Sequence, residues 1–370
     1  MNIRNAEIAD YETIRDLCIR NGLRFDLSVD QWRNFWFRNP ASNEIGAEYP
    51  IGWILENSSG CPIGTFSNII TRFRFSNETL TCATGSMWAV DRIYRSSSIL
   101  LAQKYFSQSN VDFCLTTTPN KATDAVFRAL KCKEVAPEGK VRSFFWILQS
   151  SRVIEFLANK KRGYLLRHAG VALPCRLGMT LVDSIVRHRL PTGSGEFKIA
   201  SLNQFPAEID MFWKQKVNQT PGITTCRTAS VLNWALLSSR APDQVTIVVS
   251  MSDDRERING YIALVLSTDS GLRRLRIVDF QTLKRFDRKV AKQLLASVLR
   301  QAKTKNVDVV EGSNLGVLQG QLLSSVTPFF RNVYKPPYLV KGLSPRMKNL
   351  LDNTSLTWDL STFDGDTSLF

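Results

Sequence analysis

The residues best suited to chemistry lie in one short run, Val90-Asp91-Arg92-Ile93-Tyr94-Arg95-Ser96-Ser97-Ser98-Ile99. An apolar strand ends there, small polar residues follow, and helical spacing begins. Such a turn offers successive backbone N–H groups and the positive end of a helix dipole to an anion. Arg95 adds a permanent charge. The chemistry on offer is diphosphate binding, with Val90, Tyr94, Arg95, Ser96, Ser97, Ser98 and Ile99 as candidate contacts. Serine keeps the backbone donors but places a Cβ where glycine would allow a closer approach. An ordinary strand-to-helix turn fits the same residues. Other chemistries lack their parts: there is no P-loop lysine motif, no G-x-S-x-G elbow and no spacing of metal ligands. The only histidines are His168 and His188, and the seven cysteines are scattered with no C-x-x-C pair. Reduced cytosolic thiols are the expectation.

The elements that must position this run occur twice. At a single offset of 196 residues, Gly64 falls on Gly260, Asp91-Arg92 on Asp287-Arg288 and Asp112 on Asp308, while Trp36 comes within two residues of Trp234. One offset holding over several elements marks a duplicated unit. In the first copy, strands are expected over 3–6, 51–55, 64–70, 79–90 and 111–117. Helices are expected from Asp10 to Asn21-Gly22, over 96–107 and over 120–131. The second copy repeats strands over 245–250, 260–267, 272–280 and 307–310, and Val290, Leu294, Leu295, Val298 and Leu299 form one helical face. Hairpin strands followed by strand-helix-strand-helix imply an α/β fold with an open, mixed, mostly antiparallel sheet flanked by helices in each copy. The expected domains are 1–150, a basic helical connector over 151–195, a second domain over 196–345, and a tail over 346–370.

At 370 residues and 44% hydrophobic content the chain has material for two cores, and no apolar run approaches the roughly 20 residues of a membrane helix. The opening Met1-Asn2-Ile3-Arg4 lacks the apolar core of a signal peptide, so the expected location is the cytoplasm. The net charge is +15, and residues 151–190 carry eight basic side chains against two acidic ones. Such a stretch is a solvated linker or a docking face for an anionic partner: nucleic acid, lipid, a nucleotide cofactor or an acidic carrier protein.

The run from Val90 to Ile99 resembles the acyl-coenzyme A segment of the GNAT superfamily of N-acyltransferases, usually V-x-P-x-[YF]-R-[GN]-x-G-[IV]. Val90, Tyr94, Arg95 and Ile99 match, while Arg92 replaces the proline and serines replace the glycines. Asn120 to Lys133 resembles the family's N-x-x-A-x-x-x-Y-x-x-x-G-F helix, placing Asn120 at the cofactor. Phe127 stands where the family often has a tyrosine that protonates the thiolate, and Phe127 cannot donate a proton. The second copy's turn, Phe286-Asp287-Arg288-Lys289-Val290-Ala291, has no glycine, which points to one coenzyme site, in the first copy. The tail, Trp358-Asp359-Leu360 to Phe363-Asp364-Gly365-Asp366, is similar to the endings of uncharacterised double-GNAT proteins found with polysaccharide biosynthesis. Its carboxylates could hold an amine or sugar hydroxyls, or fray as an acidic tail.

The resemblance implies two GNAT-like domains in tandem, with acetyl-coenzyme A or another acyl-coenzyme A as co-substrate and no metal. The activity implied is acyl transfer to an amine of a small molecule or amino sugar, with an acyl carrier protein as the other thioester source. The oxyanion donor is expected on the strand Gly85-Ser86-Met87-Trp88-Ala89-Val90, and Asp91 and Asp279 are the candidate catalytic carboxylates. Asp91 is equally a turn residue. Two alternatives stay open. Peptidoglycan-bridge aminoacyltransferases pair two such domains and use aminoacyl-tRNA, which suits the charge, although their long helical hairpin is not evident here. A catalytically inactive GNAT-fold binding protein would explain the lost glycines and Phe127.

Overall fold

A computed structural model describes residues 1–45, 49–136, 138–159, 197–219, 222–252, 257–269, 271–313, 315–324, 329–353 and 355–366. Most of the basic connector, including His168, Cys175 and His188, lies outside them. The first half contains β1 (Asn2–Asn5), α1 (Tyr11–Arg20), α2 (Val29–Phe37), α3 (Pro40–Ile45), β2 (Gly52–Glu56), β3 (Pro62–Phe75) and β4 (Glu78–Val90). There follow α4 (Ser98–Phe106), β5 (Phe113–Thr116), α5 (Lys121–Ala129), β6 (Lys133–Ala136), β7 (Gly139–Ile147) and α6 (Ser150–Asn159). The second half runs β8 (Lys198–Leu202), α7 (Ile209–Val217), β9 (Ile223–Thr225), α8 (Ala229–Leu237), β10 (Val245–Met251), β11 (Ile258–Asp269) and β12 (Leu272–Thr282). It ends with α9 (Arg288–Thr304), β13 (Val309–Ser313), α10 (Val317–Ser324), β14 (Phe330–Lys335), β15 (Tyr338–Gly342), α11 (Pro345–Asp352) and β16 (Trp358–Asp359).

The duplication in sequence is a duplication in topology. One sheet runs β1-β2-β3-β4-β5-β15-β6, with β9 and β16 attached beyond β3. The other runs β8-β10-β11-β12-β13-β7-β14. Matching the copies element by element turns one order into the other, with the seventh strand of each copy exchanged. In each, a central neighbour pair is parallel, β4 with β5 and β12 with β13. Two compact units result. Unit 1 comprises Met1–Gly139, Trp213–Arg240 and Tyr334–Phe370; unit 2 comprises Lys140–Phe212 and Ala241–Val333. Each unit therefore draws on both halves of the sequence.

Local signals explain where the helices start. Ser28 opens α2 with a capping box, its hydroxyl accepting from Gln31 N at 3.2 Å while Gln31 Oε1 accepts from Ser28 N at 2.8 Å. Asp287 caps α9 by accepting from Val290 N at 3.1 Å. The apolar face of α9 is buried on β10–β12 of unit 2, where Val290, Leu294 and Leu295 meet Val248, Ile262 and Leu264. Each such side chain contributes about 1.5–3 kcal/mol on burial. In unit 1, Leu101 and Tyr105 of α4 pack on Phe66, Ile70 and Ala83 in the same manner.

The glycines matched by the 196-residue offset explain how closely these helices approach. A methyl group on Gly260 would lie 2.8 Å from the Gln281 carbonyl oxygen and 2.8 Å from Val290 Cγ1. On Gly64 it would lie 3.0 Å from Val90 Cγ2 and 3.4 Å from Leu101 Cδ1. Gly260→Ala should therefore cost about 1–3 kcal/mol in urea unfolding, and more than Gly64→Ala. Equal, small losses would show that the helices do not need these positions bare.

Candidate active site

In unit 1 the ladder between β3 and β4 pairs Thr65 with Ala89 and then Ser67 with Ser86. Met87 and Trp88 thus share the place opposite Phe66, and Met87 takes a φ of +49°. That backbone costs a non-glycine residue roughly 1–2 kcal/mol, and a bulge leaves a residue without its ladder partner. The bulge sits in the strand expected to supply an oxyanion donor. Trp88 is stacked between Phe66, at 5.0 Å, and Phe127, at 5.4 Å, and its indole N–H is buried with no hydrogen-bond partner. Phe127 itself is buried in the core.

On its other edge β4 pairs with β5 only from Cys82 to Thr84. Beyond that the strands are bridged by a residue from the end of the chain. Asp366 accepts from Ser86 Oγ on β4 at 3.3 Å and from Thr118 Oγ1, just past β5, at 3.0 Å. Burial pushes its carboxyl above the usual range, and the two hydroxyls oppose that only in part. Thr118 is exposed, so this splayed region reaches the surface.

The tail is held there by a buried ion pair. Asp364 lies 3.7 Å from Arg227, with both side chains almost fully buried. It accepts from the Thr225 hydroxyl and, at 2.5 Å, from the Ser361 backbone N–H. Burial raises the Asp364 carboxyl as well, and Arg227 opposes the shift. Gly365 has a φ of +105°, and a methyl group there would lie 2.1 Å from Thr117 Oγ1, so only glycine lets the chain pass. The D-G-D spacing was the sequence signal for this arrangement, but nothing local in it revealed Ser86 or Thr118 as partners.

The turn after β4 does not leave free the successive backbone donors that its sequence suggests. Arg92–Ser97 wind into a 3₁₀ helix that runs directly into α4. Tyr94 N–H donates to Asp91 O at 2.8 Å and Ser98 N–H to Arg95 O, so those donors are already used. The cause is compositional: serine does not favour the positive φ that a glycine loop uses. Arg95 and Ser96 are exposed; Ser97, Ser98 and Ile99 are half-buried; Val90 is buried, and Tyr94 packs partly on the core. Asp91 is fastened to Arg20 Nε and Nη2 at 2.8 and 2.7 Å and accepts from Asn21 at 3.0 Å. Arg20 holds its carboxyl below the usual range. Asn120 caps α5, accepting from Ala122 N at 3.0 Å and Thr123 N at 2.9 Å.

Unit 2 carries the counterpart in closed form. Its β11–β12 ladder slips between Ala263 and Leu264, leaving Val278 unpaired. The neighbouring Asp279 is buried and accepts from Tyr261 OH at 2.7 Å and Gln281 Nε2 at 3.4 Å. Phe205 and Phe212 stand edge-on to Tyr261. The Asp287 carboxylate occupies the start of α9, where an anionic ligand would have to lie. Burial pushes the Cys18, Cys82 and Cys132 thiols up to about 12, which disfavours thiolate chemistry at those three positions. Among the described residues no group of three or more His, Cys, Asp or Glu could hold a metal ion. No helix among them is long and apolar enough to cross a membrane.

No known family profile matches the sequence, and no curated protein matches it. Solved structures do. A GCN5-related N-acetyltransferase from Anabaena variabilis superimposes with a TM-score of 0.59 at 11% identity, over 93% of this chain and 73% of that one. N-myristoyltransferase from Saccharomyces cerevisiae, with bound myristoyl-coenzyme A, gives 0.58 at 12% identity, over 92% and 78%. A GCN5-related N-acetyltransferase from Kribbella flavida gives 0.55 at 10% identity, over 92% and 71%. The chain has the GNAT fold. Its two units are both GNAT-like, each with a bulged central strand that is itself one member of a short parallel pair.

The tail is the part of this GNAT-fold site most open to a direct test. Asp364→Ala leaves Arg227 buried without its counter-charge and should cost about 3–5 kcal/mol in denaturant unfolding. A loss below about 1 kcal/mol would show that the pair is wet and the tail loosely held.

Proposed function

We propose that unit 1 is an N-acyltransferase, moving an acyl group from acetyl-coenzyme A or another acyl-coenzyme A to the amine of a small molecule or amino sugar. An acyl carrier protein is a second thioester donor that suits a net charge of +15. The observation that carries the reading is the placement of Asp366, a carboxylate of raised pKa in the β4–β5 splay, beside the strand that bulges at Met87. GNAT-fold neighbours that include an acyl-coenzyme A complex support it.

Each part of aminolysis then has a residue. The backbone N–H groups at the Met87 bulge receive the carbonyl oxygen as it gains charge. Asp366 takes the proton lost by the amine nitrogen as the C–N bond forms and the C–S bond breaks, releasing the thiolate. Exposed Arg95 and Arg92 meet the diphosphate, with Ser96, Ser97 and Ser98 lining the turn. Val90 and Tyr94 hold that turn on the core, Ile99 follows at the start of α4, and Asn120 caps α5. Asp91 is tied to Arg20 with a lowered pKa, so it shapes the turn and is not the base. Asp279, enclosed by Tyr261 and Gln281, is given no proton-transfer role.

The 3₁₀ turn favours a second reading, a GNAT-fold binding protein without catalysis, because it removes backbone donors from the diphosphate. Calorimetry with acyl-coenzyme A separates the two. Arg95→Ala should weaken binding about tenfold or more, and Arg288→Ala in unit 2 should change it little. Equal effects would contradict the one-site assignment, and no binding to the wild type would favour the second reading. A base must be deprotonated to act, so turnover should rise with pH through an inflection above the ordinary carboxylate range. Asp366→Asn should lower turnover about 100-fold and abolish that rise. An unchanged pH profile would remove Asp366 from the mechanism.

A further inference from the structure

The turn from β12 into α9 of unit 2 concentrates positive charge. Lys284, Arg285, Arg288, Lys289 and Lys292 fall within nine residues, and Asp287 is the one acidic residue between Phe280 and Val307. All five cations are exposed. Lys284, Arg285, Arg288 and Lys292 make no ion pair among the described residues. The Asp287 carboxylate is half-buried and accepts from Val290 N, so it closes the start of α9 to a seated phosphate. What this surface offers an anion is therefore its side chains and not the end of the helix.

The backbone that displays them is pinned to the sheet. Leu283 N–H donates to Asn259 O at 2.8 Å, and the Thr282 hydroxyl donates to Lys284 O at 2.9 Å. Phe286 stands in the middle of the cluster with a φ of +59°, a left-handed backbone that bulky residues rarely adopt. Its ring is 40% exposed, and the Arg285 guanidinium lies 5.4 Å from the ring centre. An exposed ring among long cationic side chains suits a boundary that is anionic at its surface and apolar just beneath.

The layout of the charges selects among polyanions. A nucleic-acid strand sets out its phosphates in a line and is held by cations that track it along a groove. Here Arg288, Lys289 and Lys292 share only about 6 Å of rise along α9, next to Lys284 and Arg285. A bilayer gathers many headgroups under one compact cluster, and each Lys or Arg near it strengthens binding about fivefold.

We propose that the turn 284–292 docks unit 2 on an anionic bilayer surface, with the five cations on the headgroups and Phe286 at the boundary below them. This surface is separate from the site of unit 1, and the proposal stands whether or not unit 1 binds acyl-coenzyme A.

Co-sedimentation of the full chain tests it, with vesicles of phosphatidylcholine alone and with about 30% phosphatidylserine added. The anionic vesicles should bind at least about tenfold more tightly. Arg288→Gln and Lys292→Gln together should weaken that binding about 25-fold, at about fivefold for each charge. Phe286→Gly, which suits the left-handed backbone and removes the ring, should weaken it about fivefold. Arg300→Gln with Lys303→Gln removes the same charge about 18 Å further along α9, beyond a screening length of about 10 Å, and should change binding less than about twofold. The proposal is overturned if the two kinds of vesicle bind alike, if the far pair of substitutions weakens binding as much as the near pair, or if Phe286→Gly binds as the wild type does. It is also overturned if the near pair weakens binding to a single-stranded oligonucleotide and leaves vesicle binding unchanged.

Discussion

A carboxylate and a guanidinium buried together, Asp364 and Arg227, fix the end of the chain against unit 1. Neither could stay charged in that place alone, because an isolated charge loses its hydration without compensation. Arg227 is further confined by the rings of Trp213 and Phe363 at 6.0 and 5.0 Å. With the pair in place, Gly365 passes Thr117 and Asp366 arrives in the splay between β4 and β5. The placement of Asp366, the candidate base, follows from that one seat.

The two units show how one framework can be left open or closed. In both, a bulge interrupts the central strand just past a short parallel ladder. In unit 1 the region beyond the ladder is bridged by hydroxyls and a carboxylate near the surface. In unit 2 the equivalent strand carries Asp279, which is locked to Tyr261 and Gln281 among aromatic rings. The helix starts differ in the same sense. Exposed Arg95 precedes α4, whereas the Asp287 carboxylate caps α9 and would repel an anionic ligand.

Much of this was legible in the sequence because it is local or periodic. Gly64 and Gly260, matched by a single offset, hold equivalent places under equivalent helices. The face of Val290, Leu294, Leu295, Val298 and Leu299 is buried as its spacing requires. The trade of β7 and β15 between sheets was not legible, since strands far apart in sequence leave no local period when they pair. The turn at Arg92–Ser97 misled for a different reason. Its residues match a phosphate loop by type, but a run of serines closes into 3₁₀ hydrogen bonds that glycines would avoid. The tail could be read only as two alternatives, because its partners Arg227, Thr225, Ser86 and Thr118 lie far away in sequence.

The claim on which this account turns is that one unit, and not the other, takes an acyl thioester. Hydrogen exchange followed by mass spectrometry, with and without acyl-coenzyme A, measures it peptide by peptide. The account predicts slower exchange over 85–101, covering the bulge and the turn, with 278–290 unchanged. Protection confined to 278–290, or none in either segment, would contradict it.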